Sequence, residues 1–167
     1  MRIAFFQSDQ VETVVDLFHE MSGHYNEGRA SDRASIKENL LDNVLGPLSG
    51  VRLLVALEAE RAVGLASIAI LYPAVREMGH LHLKEIYVVA SHRSHGIGTM
   101  LLRHVAEYAL ANNCIRVDWT TDYSNEKARA LYAKLGAKPV EEKVYFRLTG
   151  EDLERLASLP RGAQDVG

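Results

Sequence analysis

One cysteine in 167 residues, Cys114, has no partner for an internal disulfide. Its neighbours Ala109, Leu110 and Ile115 mark it as a small apolar side chain at a helix end, not a nucleophile. No run of 18 apolar residues occurs, so neither a membrane-spanning helix nor a membrane partner is expected. The opening MRIAFFQSDQ reaches Asp9 before a signal-peptide core can form, which points to the cytoplasm. Lys and Arg are never strung into a stripe, the net charge is −3 and the isoelectric point is near 6.2. Nucleic acid is therefore not an expected partner. No internal repeat is visible. With 47% hydrophobic and 25% charged residues, the chain is sized for one globular domain, expected over 1–159, with 160–167 (PRGAQDVG) as a flexible tail.

The acid that is present is unevenly spread. From Asp9 to Asp42 eight carboxylates (Asp9, Glu12, Asp16, Glu20, Glu27, Asp32, Glu38, Asp42) face three bases (Arg29, Arg33, Lys37), a net −5. Solvated helix faces account for this pattern. Attraction for a cationic substrate is the sharper alternative.

Periodicity lays out the elements. Ile3–Phe6 reads as a strand, and Ser8 can cap a helix carrying Val11, Val14, Val15, Leu17, Phe18 and Met21 that Gly23 ends. Ser35–Val44 is a second helix stopped by Gly46-Pro47, so the two form a helical hairpin. Val51–Leu57 and Ala62–Leu71 are strands around a polar turn, and Gly79–Val89 is the next. Ser94–Asn112 is a central helix, Ile115–Thr121 a fifth strand, and Asn125–Leu135 a helix with Gly136 past its end. Pro139–Leu148 is expected to return as one or two strands, before a short helix over Glu151–Leu159. The order is mixed α/β.

The most informative stretch is LKEIYVVASHRSHGIG, from Leu83 to Gly98. A short apolar strand runs into the turn Arg93-Ser94-His95-Gly96-Ile97-Gly98, which opens directly into the central helix. Two glycines let the backbone approach a bound group, and the first helical turn offers unpaired N–H donors at the positive end of its dipole. A diphosphate fits such a site. The spacing R-x-x-G-x-G is neither the G-x-x-x-x-G-K-[ST] of a P-loop nor the Rossmann G-x-G-x-x-G. A bend before a helix, with no ligand, explains the glycines equally well.

That turn matches the signature of the GNAT acyltransferases. A second block, from Asn125 to Ala137, resembles the same family's N-x-x-A-x-x-L/F-Y-x-x-x-G-A/F pattern, and the element order agrees. The similarity runs from Phe5 to Ala157 and is greatest, in the C-terminal half, to the diamine (spermidine/spermine) N-acetyltransferases and their bacterial relatives. It implies a GNAT fold: a twisted, mostly antiparallel central sheet of about six to seven strands, helices on both faces and a bulged central strand. It also implies acetyl-coenzyme A as co-substrate, with no metal. One departure stands out: where that subgroup carries two adjacent acids, this chain has Lys84-Glu85, which weakens the case for polyamines.

The resemblance assigns roles residue by residue. The bulged strand Ile86-Tyr87-Val88 would offer its backbone to the thioester and pantetheine. The N–H groups of Ser94, His95, Gly96, Ile97, Gly98 and Thr99 would hold the diphosphate, with Arg93 adding charge. Asn125, with Ala128 three residues on, either caps its helix or meets the pantetheine amides, and both can hold together. Tyr132 would protonate the departing thiolate, although a tyrosine on an amphipathic helix is commonly a core residue. Glu85 is either the base that takes the amine proton or a strand residue paired with a Lys or Arg, and a water chain can replace it. Tyr25 and Asn26 match the acceptor-pocket position of relatives, or are simply a turn after Gly23.

His80 and His82 share a strand face but lack a convincing third ligand, so no metal is expected. His92 and His95 flank the turn, where surface placement alone explains them. Tyr145 and Phe146 are expected either to pack across a homodimer or to lie on an edge strand. The expected activity is acetyl transfer to a primary amine of a small molecule (polyamine, diamine, amino acid or aminoglycoside-like) by direct attack in a ternary complex. Acetylation of a protein N-terminus or lysine is the alternative, and a non-catalytic acyl-coenzyme A-binding module the third.

Overall fold

A computed structural model of the chain describes residues 1–160, so the expected tail lies, beyond Pro160, outside the described residues. The chain forms two compact units, Met1–Thr120 and Thr121–Gly167.

The first unit is built on a five-stranded sheet in the order β1-β2-β3-β4-β5, with β1 Arg2–Phe5, β2 Arg52–Glu58, β3 Arg61–Leu71, β4 Gly79–Val88 and β5 Cys114–Asp118. The first four strands pair antiparallel, and β5 runs parallel to β4. The mixed α/β fold is as expected, but the sheet has five strands among the described residues, not six or seven. In β2 and β3 nearly every interior residue is buried, from Leu53 to Leu57 and from Ala62 to Ile68. A strand is buried continuously only when both sheet faces are covered. Helices α1 (Val11–Tyr25) and α3 (Ile97–Ala111) supply that cover, through Val14, Val15 and Leu17 of α1 and Ile97, Leu101, Val105 and Ala109 of α3. Leu101 is wholly buried, so Leu101→Ala is expected to cost about 2–5 kcal/mol. A denaturant midpoint unchanged by that substitution would show the α3 interface is not closely packed.

The strand signals carry over with ends moved by a residue or more, since an isolated sequence does not show where ladders stop. Leu71 ends β3 two residues before Pro73, and β5 ends at Asp118, short of Thr121. Cys114 opens β5 instead of closing a helix; it is buried, and burial pushes its thiol pKa up.

Helix ends differ more. Gln7 and Gln10 form a reciprocal capping box around the short turn Ser8–Gln10, so Ser8 lies inside that turn rather than at its cap. Gly23, expected to end α1, sits within it, because the chain reverses only at Glu27 (φ +52°) and Gly28 (φ +89°), where the Gly28 N–H reaches the Gly23 carbonyl at 2.8 Å. Tyr25 consequently rides on the last turn of the helix. Helix α2 (Arg33–Asn39) is capped by Asp32, whose carboxylate accepts the Ser35 N–H at 3.0 Å. It passes into a π-turn over Leu40–Val44, so the expected single helix 35–44 changes pitch midway. A Cβ on Gly46 would lie 2.2 Å from the Asp42 carbonyl oxygen, so only glycine permits that closure. The helical hairpin of α1 and α2 is bridged by Arg33–Asp16 and Lys37–Glu12 ion pairs, which neutralise part of the acidic segment.

The second unit holds α4 (Glu126–Lys134) and α5 (Glu151–Ala157). The strand expected over Pro139–Leu148 does not form. Pro139 brings no N–H, Glu141-Glu142-Lys143 breaks the apolar alternation, and a strand is stable only when its backbone groups find a ladder. Val144, Tyr145 and Phe146 are 76%, 72% and 87% exposed.

Candidate active site

The geometry begins with a bulge. Ser67 pairs with Glu85 and Ile68 with Leu83, so Lys84 is an extra residue in β4. Side chains two apart on a regular strand share a face, but the inserted residue reverses the phase. Glu85 and Tyr87 therefore point to the face opposite Leu83, toward α1. The expected bulge is present, but it lies at Lys84, ahead of Ile86-Tyr87-Val88, and its effect is to aim Glu85. Lys84 is exposed.

On that face Glu85 is held from two sides. Its Oε1 accepts the Tyr25 hydroxyl at 2.9 Å and the Ile86 N–H at 3.1 Å. Tyr25 belongs to a ring cluster with His24 (5.4 Å) and Tyr87 (6.4 Å), and His24 lies 5.8 Å from Tyr87. Partial burial, then the hydrogen bond to Glu85 and its charge, push the Tyr25 phenol well above its ordinary pKa. Tyr25 thus remains a donor across the working range. Because its folded-state pKa is raised, its contribution to stability is complete below about pH 10 and is lost as pH climbs above that. Tyr87, also shifted upward, by burial and the charge of Glu20, contributes with the same sign. Tyr25→Phe is expected to flatten, but not abolish, the loss of stability above about pH 10; an identical slope by alkaline denaturation would deny the Tyr25–Glu85 bond its influence.

The second feature is an open edge. Strand β5 pairs with β4 only from Gly79 to His82, so among the described residues no strand lies beside that side of β4 from Glu85 onward. The Ile86 N–H turns to the Glu85 carboxylate and the Val88 carbonyl to Arg93 Nε at 2.9 Å. Both groups face away from β3, as alternation along an antiparallel ladder requires.

The third is the turn beyond β4. After a short 3-10 turn at Ala90–His92 the chain passes through Ser94 (φ +66°) and Gly96 (φ +79°), and α3 starts at Ile97. The helix is shorter at its start than the expected 94–112 because these two left-handed residues belong to the turn. No side chain caps it, so the first-turn N–H groups of Ile97, Gly98 and Thr99 are left to a ligand or solvent. Arg93 lies over the Tyr87 ring at 5.3 Å. The chemistry suits an anion: uncapped donors and the helix dipole lie at the start of α3, four residues after Arg93 in the chain.

Tyr25, Glu85, Ile86, Tyr87, Val88 and Arg93 are thus assembled with the turn 94–99 in one unit. Asn26 is not drawn to Glu85: its N–H bonds the Ser22 carbonyl and its carbonyl accepts from Arg29, closing α1. In the second unit Asn125 caps α4, its side chain accepting the Ala128 N–H at 3.1 Å, and Tyr132 is partly buried on the same helix. His92 bonds Ser91 and Glu58, His80 faces Asp118 at 4.0 Å, and His95 is exposed in the turn. Among the described residues no three His, Cys, Asp or Glu side chains gather as a metal site, and no helix is long and apolar enough to cross a membrane. Sequence reasoning missed His24 and Glu20 at this face. Glu20 stood as one of eight acids on solvated helices, and nothing in its spacing separates it from the others.

A model of the acetyltransferase (GNAT) family matches residues 14–137. A thialysine N-epsilon-acetyltransferase from Mus musculus is 37% identical over 86 residues, 47% of this chain and 48% of that protein. An L-ornithine N5-acetyltransferase from Arabidopsis thaliana is 30% identical over 88 residues, 53% of this chain and 39% of that protein. The matched stretches span about half or less of these curated relatives. An integron cassette protein from the mobile metagenome of V. cholerae is 31% identical, with a TM-score of 0.89 over 94% of this chain and 97% of that one.

Proposed function

Because the chain belongs to the acetyltransferase (GNAT) family, we propose that it is an acetyl-coenzyme A-dependent N-acetyltransferase acting on a primary amine of a small molecule, by direct attack in a ternary complex. The observation that carries this reading is Glu85, re-aimed by the Lys84 bulge and held through Oε1 by Tyr25, beside an open strand edge that leads into an anion-binding turn. The family match crosses the boundary between the two compact units, which supports their acting as one domain over 1–159.

Coenzyme A would lie along the edge of Ile86-Tyr87-Val88, with its diphosphate at the N–H groups of 94–99 and Arg93, and would supply the acetyl group as an activated thioester. Asn125 and Ala128 are assigned to its pantetheine arm, although the bond between them already occupies the Ala128 N–H. Glu85 takes a proton from the incoming ammonium at Oε2, since both of its fixed donors converge on Oε1; only a neutral amine has the lone pair the reaction needs. Tyr132 holds, at its phenol oxygen, the proton the leaving sulfur requires. Tyr25 lines the acceptor side, and Asn26, which closes α1 directly after it, is assigned there through the resemblance alone. The names of the relatives, thialysine and L-ornithine acetyltransferases, and the carboxylate of Glu85 favour a basic amino acid or diamine as acceptor over an uncharged amine. The exposed Val144, Tyr145 and Phe146 support a homodimer closed through that run, which sedimentation of wild type against a Phe146→Ser variant tests.

The deciding experiment measures free-thiol release from acetyl-coenzyme A with spermidine, putrescine, lysine, ornithine, an aminoglycoside and short peptides, and identifies products by mass spectrometry. An acetylated small amine is expected. Products from peptides alone would shift the assignment to protein acetylation, and coenzyme binding without turnover on any acceptor would favour a binding module.

A further inference from the structure

Glu20 stands outside every role assigned so far. It lies on α1, five residues before Tyr25, and one oxygen, Oε1, takes two donors: the Tyr87 hydroxyl at 3.3 Å and the Ala90 N–H at 3.1 Å. Those donors bracket the exit of β4. Tyr87 carries the Arg93 guanidinium over its ring at 5.3 Å, and Arg93 Nε is fixed in turn to the Val88 carbonyl at 2.9 Å. Ala90 opens the 3-10 turn that delivers the chain to Arg93 and the left-handed Ser94. A single carboxylate therefore ties α1 both to the ring under Arg93 and to the backbone entering the anion turn.

We propose that Glu20 is a positioning residue for coenzyme binding, holding Arg93 and the start of the 94–99 turn in place through Tyr87 and the Ala90 N–H. The inference rests on the acetyltransferase reading for the identity of the ligand, but not on the acceptor. The partners of Glu20 are the Tyr87 hydroxyl and the Ala90 N–H, neither of them a reacting group, so it acts on the ground-state hold of the coenzyme. An interaction equally present in ground and transition states changes KM and leaves kcat alone. The same helix presents Tyr25 to Glu85, so α1 braces the acceptor face with one side chain and the coenzyme face with another.

Binding of coenzyme A alone, measured by calorimetry, tests this without any acceptor. Glu20→Ala removes both hydrogen bonds and is expected to weaken binding about tenfold, part of their worth being lost as misplacement of Arg93 and the turn, and to raise KM for acetyl-coenzyme A by a similar factor with kcat unchanged. Glu20→Gln keeps an acceptor oxygen and is expected to recover most of the loss. In an Arg93→Ala background Glu20→Ala should add little, because residues acting through one another are not additive. Should Glu20→Ala fold poorly, Tyr87→Phe removes one donor with the ring kept, and a smaller loss in the same parameter is expected. Unchanged coenzyme affinity in Glu20→Ala, or full additivity with Arg93→Ala, would overturn the proposal. Wild-type protein that binds coenzyme A but acetylates no amine would sink the small-amine assignment and leave Glu20's role standing if the variant still binds more weakly. Wild type that binds no coenzyme A would sink both.

Discussion

Tyr132→Phe is expected to lower kcat by about a hundredfold or more, the usual contribution of a positioned proton donor, with the affinity for coenzyme A unchanged. The ring stays, so the partly buried side of α4 keeps its apolar surface, while the hydroxyl and its proton are lost. A thiolate leaving group is stabilised by a proton held nearby, so the effect falls on the chemical step and lowers kcat and kcat/KM together. Stopped-flow thiol release under single-turnover conditions separates that step from product release. Turnover equal to wild type would strip Tyr132 of its role and leave it as the core residue that an amphipathic helix also predicts.

Glu85→Gln is the second large effect, about a hundredfold on kcat/KM for the amine. The amide can still accept from Tyr25 and the Ile86 N–H, so the local framework survives while proton acceptance is lost. The discriminating readout is pH. An alkylammonium ionises near pH 10.4, so raising the pH supplies neutral amine directly from solution, and the gap between variant and wild type is expected to narrow. A constant gap at every pH would mean that Glu85 binds the ammonium without deprotonating it. No gap at all would assign the proton to a water chain.

Several of the candidate segments are legible without the fold because each is local. The turn from Arg93 to Gly98 declares itself through two glycines before a helix, and Asn125 to Gly136 through a cap, a periodic face and a terminal glycine. Both are set by backbone preferences within a few residues. The mixed α/β order follows from apolar period in the same way, as does the identity of the core: Val14, Val15 and Leu17 in the first helix and the apolar runs of β2 and β3.

What the tertiary structure decided is what depends on residues far apart in the chain. A bulge exists only as a mismatch between two strands, so Lys84 cannot be identified as the inserted residue until Ser67 and Ile68 are seen opposite Glu85 and Leu83. With it goes the direction of Glu85. Glu20 acquires its role from a hydroxyl and an N–H 67 and 70 residues away, which no local pattern encodes. The segment 139–148 has the composition of a strand but finds no ladder in the described structure, because pairing is a property of two segments and periodicity of one. Sequence alone therefore determined most of the elements, the core and the glycine-bearing turn before α3, through short-range sterics and periodic burial. The aim of the catalytic face and its bracing by α1 were decided by long-range registry, where a shift of one residue reverses every side chain.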